Sequence, residues 1–564
     1  MDTINNLLLN LTTNNSCTIS NAENQINSLF KSNYYETLHF LSSLFSDLST
    51  NIKIRKVAII LIKNSLLSNN YLNLWLNLDN ELKNKIKINI ISSLGIEDNY
   101  NNKEVIRLIA NCISSFAAIE FPRNSWKDIF NTLFEALNNA NLNFQYAALI
   151  TIQYILQDIN IADLKACESG EILGIVINKL VNESFINNIN VNAKYINSEI
   201  NVENIVNFYV SIVKELIPFI EDIIQDNNKQ VILINNLFVV YKAYCFTNIK
   251  VCIIDIFFNL FLNYYSFINK ELVINDLLNF AKYSFNEYNN YINNKNSINF
   301  NFNLIYNTLE LWSYIAEIES NLTTIKSTGS LYYNIKNKKY CIQVYKDLLK
   351  IILNILENSN TNNIINEDNE YEDIEDPNHW NIEKSCYLLI LNLSSCTTID
   401  FIESLYAFII KGFNSNDIVI KERAIHCYAY IIDSQNSNCL IKNSIIDNLN
   451  MFFSICNITM LKNNSIDINS KNIKKIRKAC GIAILKSIKK HSDSILENKE
   501  NSCFLYKKLI ELIADYVNID VNFCKKILQS INTLFYNSNK KGNTYYLKKY
   551  KHITYFIDNL LKII

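Results

Sequence analysis

The chain has 564 residues, 49% hydrophobic and 19% charged, with a formal net charge of −1. That balance excludes a disordered polymer and supplies no global field for nucleic acid or an anionic membrane. Only 7 glycines and 3 prolines occur, too few for the turns of a β-sandwich or the Gly-rich phosphate loops of a doubly wound α/β enzyme.

Helices need few of either, because Asn, Ser and Asp serve their caps, so the expected class is all-α. At this length the chain forms several domains or one extended array. Residues 1–30 carry Asp2 and Glu23 and no basic stretch followed by a long apolar run, so no secretory signal is expected. From residue 55 onward one pattern returns: small and aliphatic residues at i, i+3, i+4, i+7 spacing. It occupies residues 55–63 (RKVAIILIK), 105–113 (VIRLIANCI) and 146–154 (YAALITIQY), then 307–315 (NTLELWSYI), 423–430 (RAIHCYAY) and 477–484 (RKACGIAI). Ile and Tyr also favour strands, so periodicity decides for helix. Units start roughly 38–54 residues apart, the range of HEAT and armadillo helix pairs. A more amphipathic helix precedes each, as at residues 126–136 (WKDIFNTLFEA). The predicted architecture is an α-α superhelix, a HEAT/armadillo-like solenoid in which each unit buries its faces against its neighbours.

The most apolar stretch, residues 231–269, is broken by Lys242, Lys250 and Asp255. No charge-free run reaches the ~18–20 residues of a membrane span, and no membrane insertion is expected. Residues 288–303 are polar and Asn-rich and read as a loop or inserted linker. Asp417, six residues before Arg423, is spaced to cap one helix while pairing with the next repeat's arginine. Alone it is an ordinary surface ion pair. The 14 cysteines form no C-x-x-C pair, which favours buried free thiols in a reducing, intracellular compartment over metal or disulfide roles. His39, His379, His426, His491 and His552 are scattered, and His426 reads as a packed core histidine. No P-loop, G-x-S-x-G, H-E-x-x-H or G-x-G-x-x-G is present, so neither an enzyme nor a bound cofactor is expected.

One segment carries concentrated charge. Glu367, Asp368, Glu370, Glu372, Asp373, Glu375 and Asp376 are seven carboxylates with no compensating base, followed by Pro377 and Trp380. Their repulsion favours an extended, hydrated segment. It is either a solvated loop or one that lies against a basic partner with strong salt dependence.

Several blocks resemble the N-terminal two thirds of the importin β (karyopherin β) family. Lys63-Asn64-Ser65-Leu66, Trp75-Leu76 and Leu94-Gly95 are similar to its first two repeats, as are residues 117–122 (AAIEFP) followed by Trp126. Residues 154–159 (YILQDI) resemble its fourth-repeat helix, and residues 309–313 (LELWS) its seventh. Residues 367–381, closing on a Trp-Asn pair, resemble its acidic loop. The likeness is weak over 181–303 and stops at Ile564, short of the family's usual length.

The resemblance implies about eleven HEAT repeats in a nuclear import receptor. Such a receptor binds the GTPase Ran with its first repeats and acidic loop, binds Phe-Gly nucleoporins through outer-helix slots, and carries protein cargo, in some cases through importin α. It moves between cytoplasm and nucleus. Residues 1–180 then correspond to repeats 1–4 and Ran binding, 181–355 to repeats 5–7 and nucleoporin binding, and 356–564 to the acidic loop with repeats 8–11. Near the N-terminus, Arg55, Lys56, Lys63 and Arg107 read as mostly solvated helix surface. Leu173, Ile177, Leu233 and Ile234 match the slot positions, with burial in the repeat core as the competing reading. Where the family stacks cargo arginines on later tryptophans, this chain has Ile482 and Lys525; of those tryptophans only Trp380 is kept, which places the usual importin α contact in doubt. A transportin-like receptor, or a HEAT scaffold without Ran binding, are the alternatives.

Overall fold

The computed structural model describes residues 2–13, 15–94, 103–123, 125, 126, 128–139, 141–159, 166–192, 202–293, 300–324, 335–358, 381–432, 434, 438–457 and 470–540. Among the described residues there are twenty-five α-helices and two short 3₁₀ turns, with no strand. The expected all-α, HEAT-like class holds. The chain divides into two compact units, Met1–Leu272 and Val273–Ile564.

Asparagine and aspartate start many of these helices. Asn15, Asn51, Asn141, Asp226, Asn381, Asp417 and Asn498 each accept hydrogen bonds from first-turn amides, satisfying donors that a helix N-terminus leaves open. An Asn-rich chain with few glycines can therefore make many short helices.

Consecutive helices pair, and the second helix of each pair packs beside the second helix of the next. In the first unit the second helices are Ile52–Leu67, Lys103–Glu120, Leu142–Asp158, Val202–Leu216 and Thr247–Tyr264. In the second unit they are Asn303–Thr324, Ile382–Cys396, Ile418–Ile431, Lys471–Glu497 and Val521–Lys540. Small residues allow the close approach: Ala110, Ala117, Ala147, Ala148, Ala424, Ala429, Ala479 and Ala483 are all buried. Among the described residues one stretch, Glu104–Arg123, is long and apolar enough to cross a membrane by length and composition, and 67% of its most apolar 18-residue window is buried.

Polar ties cross many of these seams. Lys56 pairs with Glu104, Ser114 Oγ donates to the Tyr154 carbonyl at 2.9 Å, and Lys214 donates to Asp255 at 2.9 Å. In the second unit Asn392 donates to Ser313 Oγ at 2.9 Å, Arg423 reaches Glu383 at 2.7 Å, and Arg477 reaches Asp520 at 2.8 Å. At three helix starts a side chain four residues past the cap reaches back to a carbonyl at or just beyond the end of the preceding helix. Arg55 Nε donates to the Phe45 carbonyl at 2.8 Å, Gln145 to that of Asn139 at 2.7 Å, and Gln230 to that of Ile224 at 2.7 Å.

Four local expectations are corrected. Asp417 does cap its helix, accepting from the Val419 amide at 2.8 Å, but the arginine of the next second helix, Arg477, pairs with Asp520, and Arg423 turns to Glu383 of the preceding pair. The cap position of the following second helix is Ser470, so no carboxylate stands there to receive it. The ladder of the expected kind is instead Arg477 to Asp520, where Asp520 also accepts from the Phe523 amide at 2.9 Å. Residues 288–293 are helical, in Lys270–Asn293; Tyr291 stacks on Phe300 and meets Phe302 edge-on, each at 5.3 Å. The helix placed at 126–136 begins at Ile129. Arg55 is buried, not solvated.

Two glycines give opposite expectations. A Cβ on Gly412 would lie 2.4 Å from that of Ala424, whereas one on Gly174 would meet nothing within 4 Å. Gly412→Ala should destabilise by roughly 1–3 kcal/mol through overpacking. Gly174→Ala should stabilise by about 0.5–1 kcal/mol through helix propensity. Urea unfolding of the two variants reads both signs.

Candidate interaction sites

Three residues of the N-terminal blocks that carry the family resemblance, Trp75, Glu120 and Trp126, converge in one buried cluster. Trp75, on the short helix Asn69–Leu76, donates its indole N–H to Glu120 Oε1 at 2.9 Å. The other Glu120 oxygen lies 3.6 Å from Lys87 Nζ, with side-chain exposures of only 5% for Lys87 and 6% for Glu120. Lys87 also sits 4.8 Å from the centre of the Trp126 ring, and Phe116 packs between Trp75 and Trp126 at 4.9 and 6.1 Å. Trp126 adopts a left-handed backbone at φ 61°, a conformation that costs a non-glycine residue on the order of 1–3 kcal/mol and persists where surroundings fix it. Burial lowers the Lys87 pKa, and the Glu120 carboxylate holds it up. The motif residues thus position one another; they are not presented to a ligand.

The acidic segment, Glu367, Asp368, Glu370, Glu372, Asp373, Glu375 and Asp376, lies outside the described residues, as do Pro377 and Trp380. The described chain resumes at Asn381, which caps Ile382–Cys396 by accepting from the Lys384 amide at 2.8 Å. Of the four slot residues, Leu173 is 2% exposed, Ile177 4%, Leu233 4% and Ile234 0%. All four lie in the core of this structure. A heptad face that fills a core and one that lines a slot look identical in sequence. On the same helix as Leu233, Ile232 is 60% exposed, and the sequence reading passed over it.

In the second unit a polar cluster forms where Ile418–Ile431 meets its neighbours. Tyr387 stacks on Tyr430 at 5.7 Å and contacts His426 at 5.2 Å. Lys486 lies 4.4 Å above the Tyr430 ring. Glu422 Oε1 is 3.8 Å from His426 Nε2. Burial pushes the Glu422 carboxyl up to about 7, against the pull of Lys475. Burial pushes the His426 imidazole down to about 3, reinforced by Lys478, Lys486 and Lys475. His426 is a neutral core residue at neutral pH, in keeping with the sequence reading.

Among the described residues one group offers metal-ligand chemistry: Glu319, Cys341 and Cys396 are buried, with donor atoms within 4.8 Å of one another. Glu319 has another role, since its two oxygens accept from the Tyr340 and Cys341 amides and cap Tyr340–Asn358. Burial raises the Cys341 thiol well above its ordinary pKa, which disfavours the thiolate a metal needs.

Comparison with solved structures shows what this fold is. The chain superposes on Kap95p bound to RanGDP with a TM-score of 0.62 at 15% identity, covering 94% of this chain and 61% of that one. Yeast importin β (Kap95p) matches at 0.59 and 14%, covering 99% and 71%. Kap121p bound to RanGTP matches at 0.58 and 11%, covering 94% and 44%. Other similar structures hold Kap95 with Nup1 and Kap121p with Nup53p. No family profile and no curated protein matches the sequence. The fold is therefore that of the importin β-type karyopherins, and the chain spans about three fifths of the length of the first of these relatives.

The Lys87–Glu120 pair has a direct test. Removing one partner of a buried ion pair leaves the other charge uncompensated, at about 3–5 kcal/mol. Glu120→Gln should show a lowered thermal midpoint, and adding Lys87→Met should restore most of the loss. Full additivity of the two changes would rule out the coupling.

Proposed function

We propose that this chain is a nuclear import receptor of the importin β type, binding Ran-GTP and Phe-Gly nucleoporins and carrying protein cargo between cytoplasm and nucleus. The observation that supports it most is the likeness to importin β over 94–99% of this chain, with the resembling blocks in the same order along the sequence. Residues 1–180 would carry the Ran-binding repeats, 181–355 the nucleoporin-binding repeats, and 356–564 the acidic loop and cargo-binding repeats, with importin α as one candidate adaptor. No catalytic machinery enters this reading.

The mechanism is a competition for shared surface. Repeats joined by small seams change their mutual packing at modest cost, so Ran and cargo can each favour a different arrangement. The seven carboxylates from Glu367 to Asp376, with Trp380, would grip a basic surface of Ran. For nucleoporins, a Phe ring would have to open the closed seams at Leu173, Ile177, Leu233 and Ile234, or seat on exposed neighbours such as Ile232. The likeness to Kap121p supports a second reading, a transportin-like receptor with its own cargo set; a HEAT scaffold without Ran binding is the third.

A pull-down with Ran loaded with GTP or GDP separates receptor from scaffold. Strong GTP preference is expected, and absence of binding in both states would favour the scaffold. Replacing the seven loop carboxylates with Ser should weaken Ran-GTP binding by about tenfold or more and flatten its salt dependence. Unchanged affinity would remove the loop from the interface.

A further inference from the structure

Leu356, near the end of Tyr340–Asn358, and Glu383, in the first turn of Ile382–Cys396, lie on either side of the acidic stretch Glu367 to Asp376 in sequence. In space one side chain holds both. Arg423 donates Nη1 to the Leu356 carbonyl at 2.7 Å. Its Nη2 and Nε donate to Glu383 Oε1 at 2.7 and 3.1 Å. On the reading above that the acidic segment grips Ran, we infer that Arg423 is its positioning residue, stapling the two ends together and tying their placement to the following helix pair.

The bond pattern asks for an arginine. A planar guanidinium presents five N–H donors in fixed directions, so one edge faces the carboxylate while the remaining nitrogen faces the carbonyl. An ammonium is a single point of charge and cannot reproduce that fork. The site is also dry: the Arg423 side chain is 2% exposed and that of Glu383 19%, and Leu356 is fully buried. An acceptor that loses its donor there is left without water, which makes release of either end unfavourable.

The origin of the side chain sets this contact apart from the other latches. Arg55, Gln145 and Gln230 each reach back to the helix immediately before their own. Arg423 belongs to the next pair, 67 residues after Leu356 and 40 after Glu383. Lys411, on the other helix of that pair, lies 3.7 Å from Glu357, but at 81% exposure this outer contact contributes little. The ends of the acidic segment are therefore held from outside the pair that bears it. A slide of Ile418–Ile431 along Ile382–Cys396 breaks an Arg423 bond unless both ends follow, so the seam and the segment's placement are coupled.

A double-mutant cycle on the full chain tests this, with Ran-GTP affinity as the readout. Arg423→Lys should weaken binding about three- to tenfold in the parent, and by less than about twofold where the seven loop carboxylates are already Ser. Arg477→Lys, at the buried arginine of the next pair, should lower the thermal midpoint comparably and change Ran affinity equally in both backgrounds. Hydrogen exchange without Ran reads the staple by itself. In Arg423→Lys the last turn of Tyr340–Asn358 and the first turn of Ile382–Cys396 should exchange at least about fivefold faster, with Val521–Lys540 unchanged. If Arg423→Lys fails to fold, Glu383→Gln takes its place with the same expectations. Equal loss of affinity in both backgrounds, or exchange at the two ends that is unchanged or accelerated only as much as the rest of the unit, overturns the inference. Absence of Ran-GTP binding by the parent overturns the receptor reading instead, and the exchange measurement then decides on the staple alone.

Discussion

A pair of helices has two apolar flanks and can hide only one of them within itself. The other must be covered by the next pair, and this requirement organises each unit. It explains why the second helices are dense in buried alanine, isoleucine and cysteine, and why stability is passed from neighbour to neighbour. Apolar packing alone is tolerant of sliding. The ties at Ser114–Tyr154, Asn392–Ser313, Arg423–Glu383 and Arg477–Asp520 remove that freedom, because each leaves a buried polar group unsatisfied if the register shifts.

The class of fold was legible because periodicity and glycine scarcity point the same way. Details depending on two distant residues were not. Asp417 and Arg423 suggested a ladder, but Arg423 pairs with Glu383, about forty residues before it, and Arg477 with Asp520, about forty residues after it. Trp75, Glu120 and Trp126 stood out as a pattern, yet Lys87, the charge that completes their cluster, belongs to an unremarked helix rich in Lys and Asn. Residues 288–293 looked like a loop because of their Asn content, while Tyr288 and Tyr291 pack against Phe300 at the helix end.

The interaction sites were less legible than the fold, for a physical reason. A side chain that lines a slot and one that fills a core obey the same spacing, and Leu173, Ile177, Leu233 and Ile234 are all core in this structure. Charge, unlike packing role, is visible directly in composition. The acidic segment and the basic helix Lys471–Glu497 both stand out in composition, and they carry opposite signs within one unit of a chain whose total is −1. An average over the whole sequence conceals both.

The latches formed by Arg55 and Gln145 tie the second helix of a pair to a carbonyl at or just beyond the end of the first, and Gln230 ties Asn227–Ala243 to the short helix Glu221–Gln225 before it. A pair fastened in this way moves as a single block. Deformation within a unit is then shared out over its seams, a little at each, in the manner of a stack of plates sliding slightly rather than a door turning on one pivot. Small displacements summed along such a stack would add up to a sizeable change of curvature within a unit without any helix unwinding.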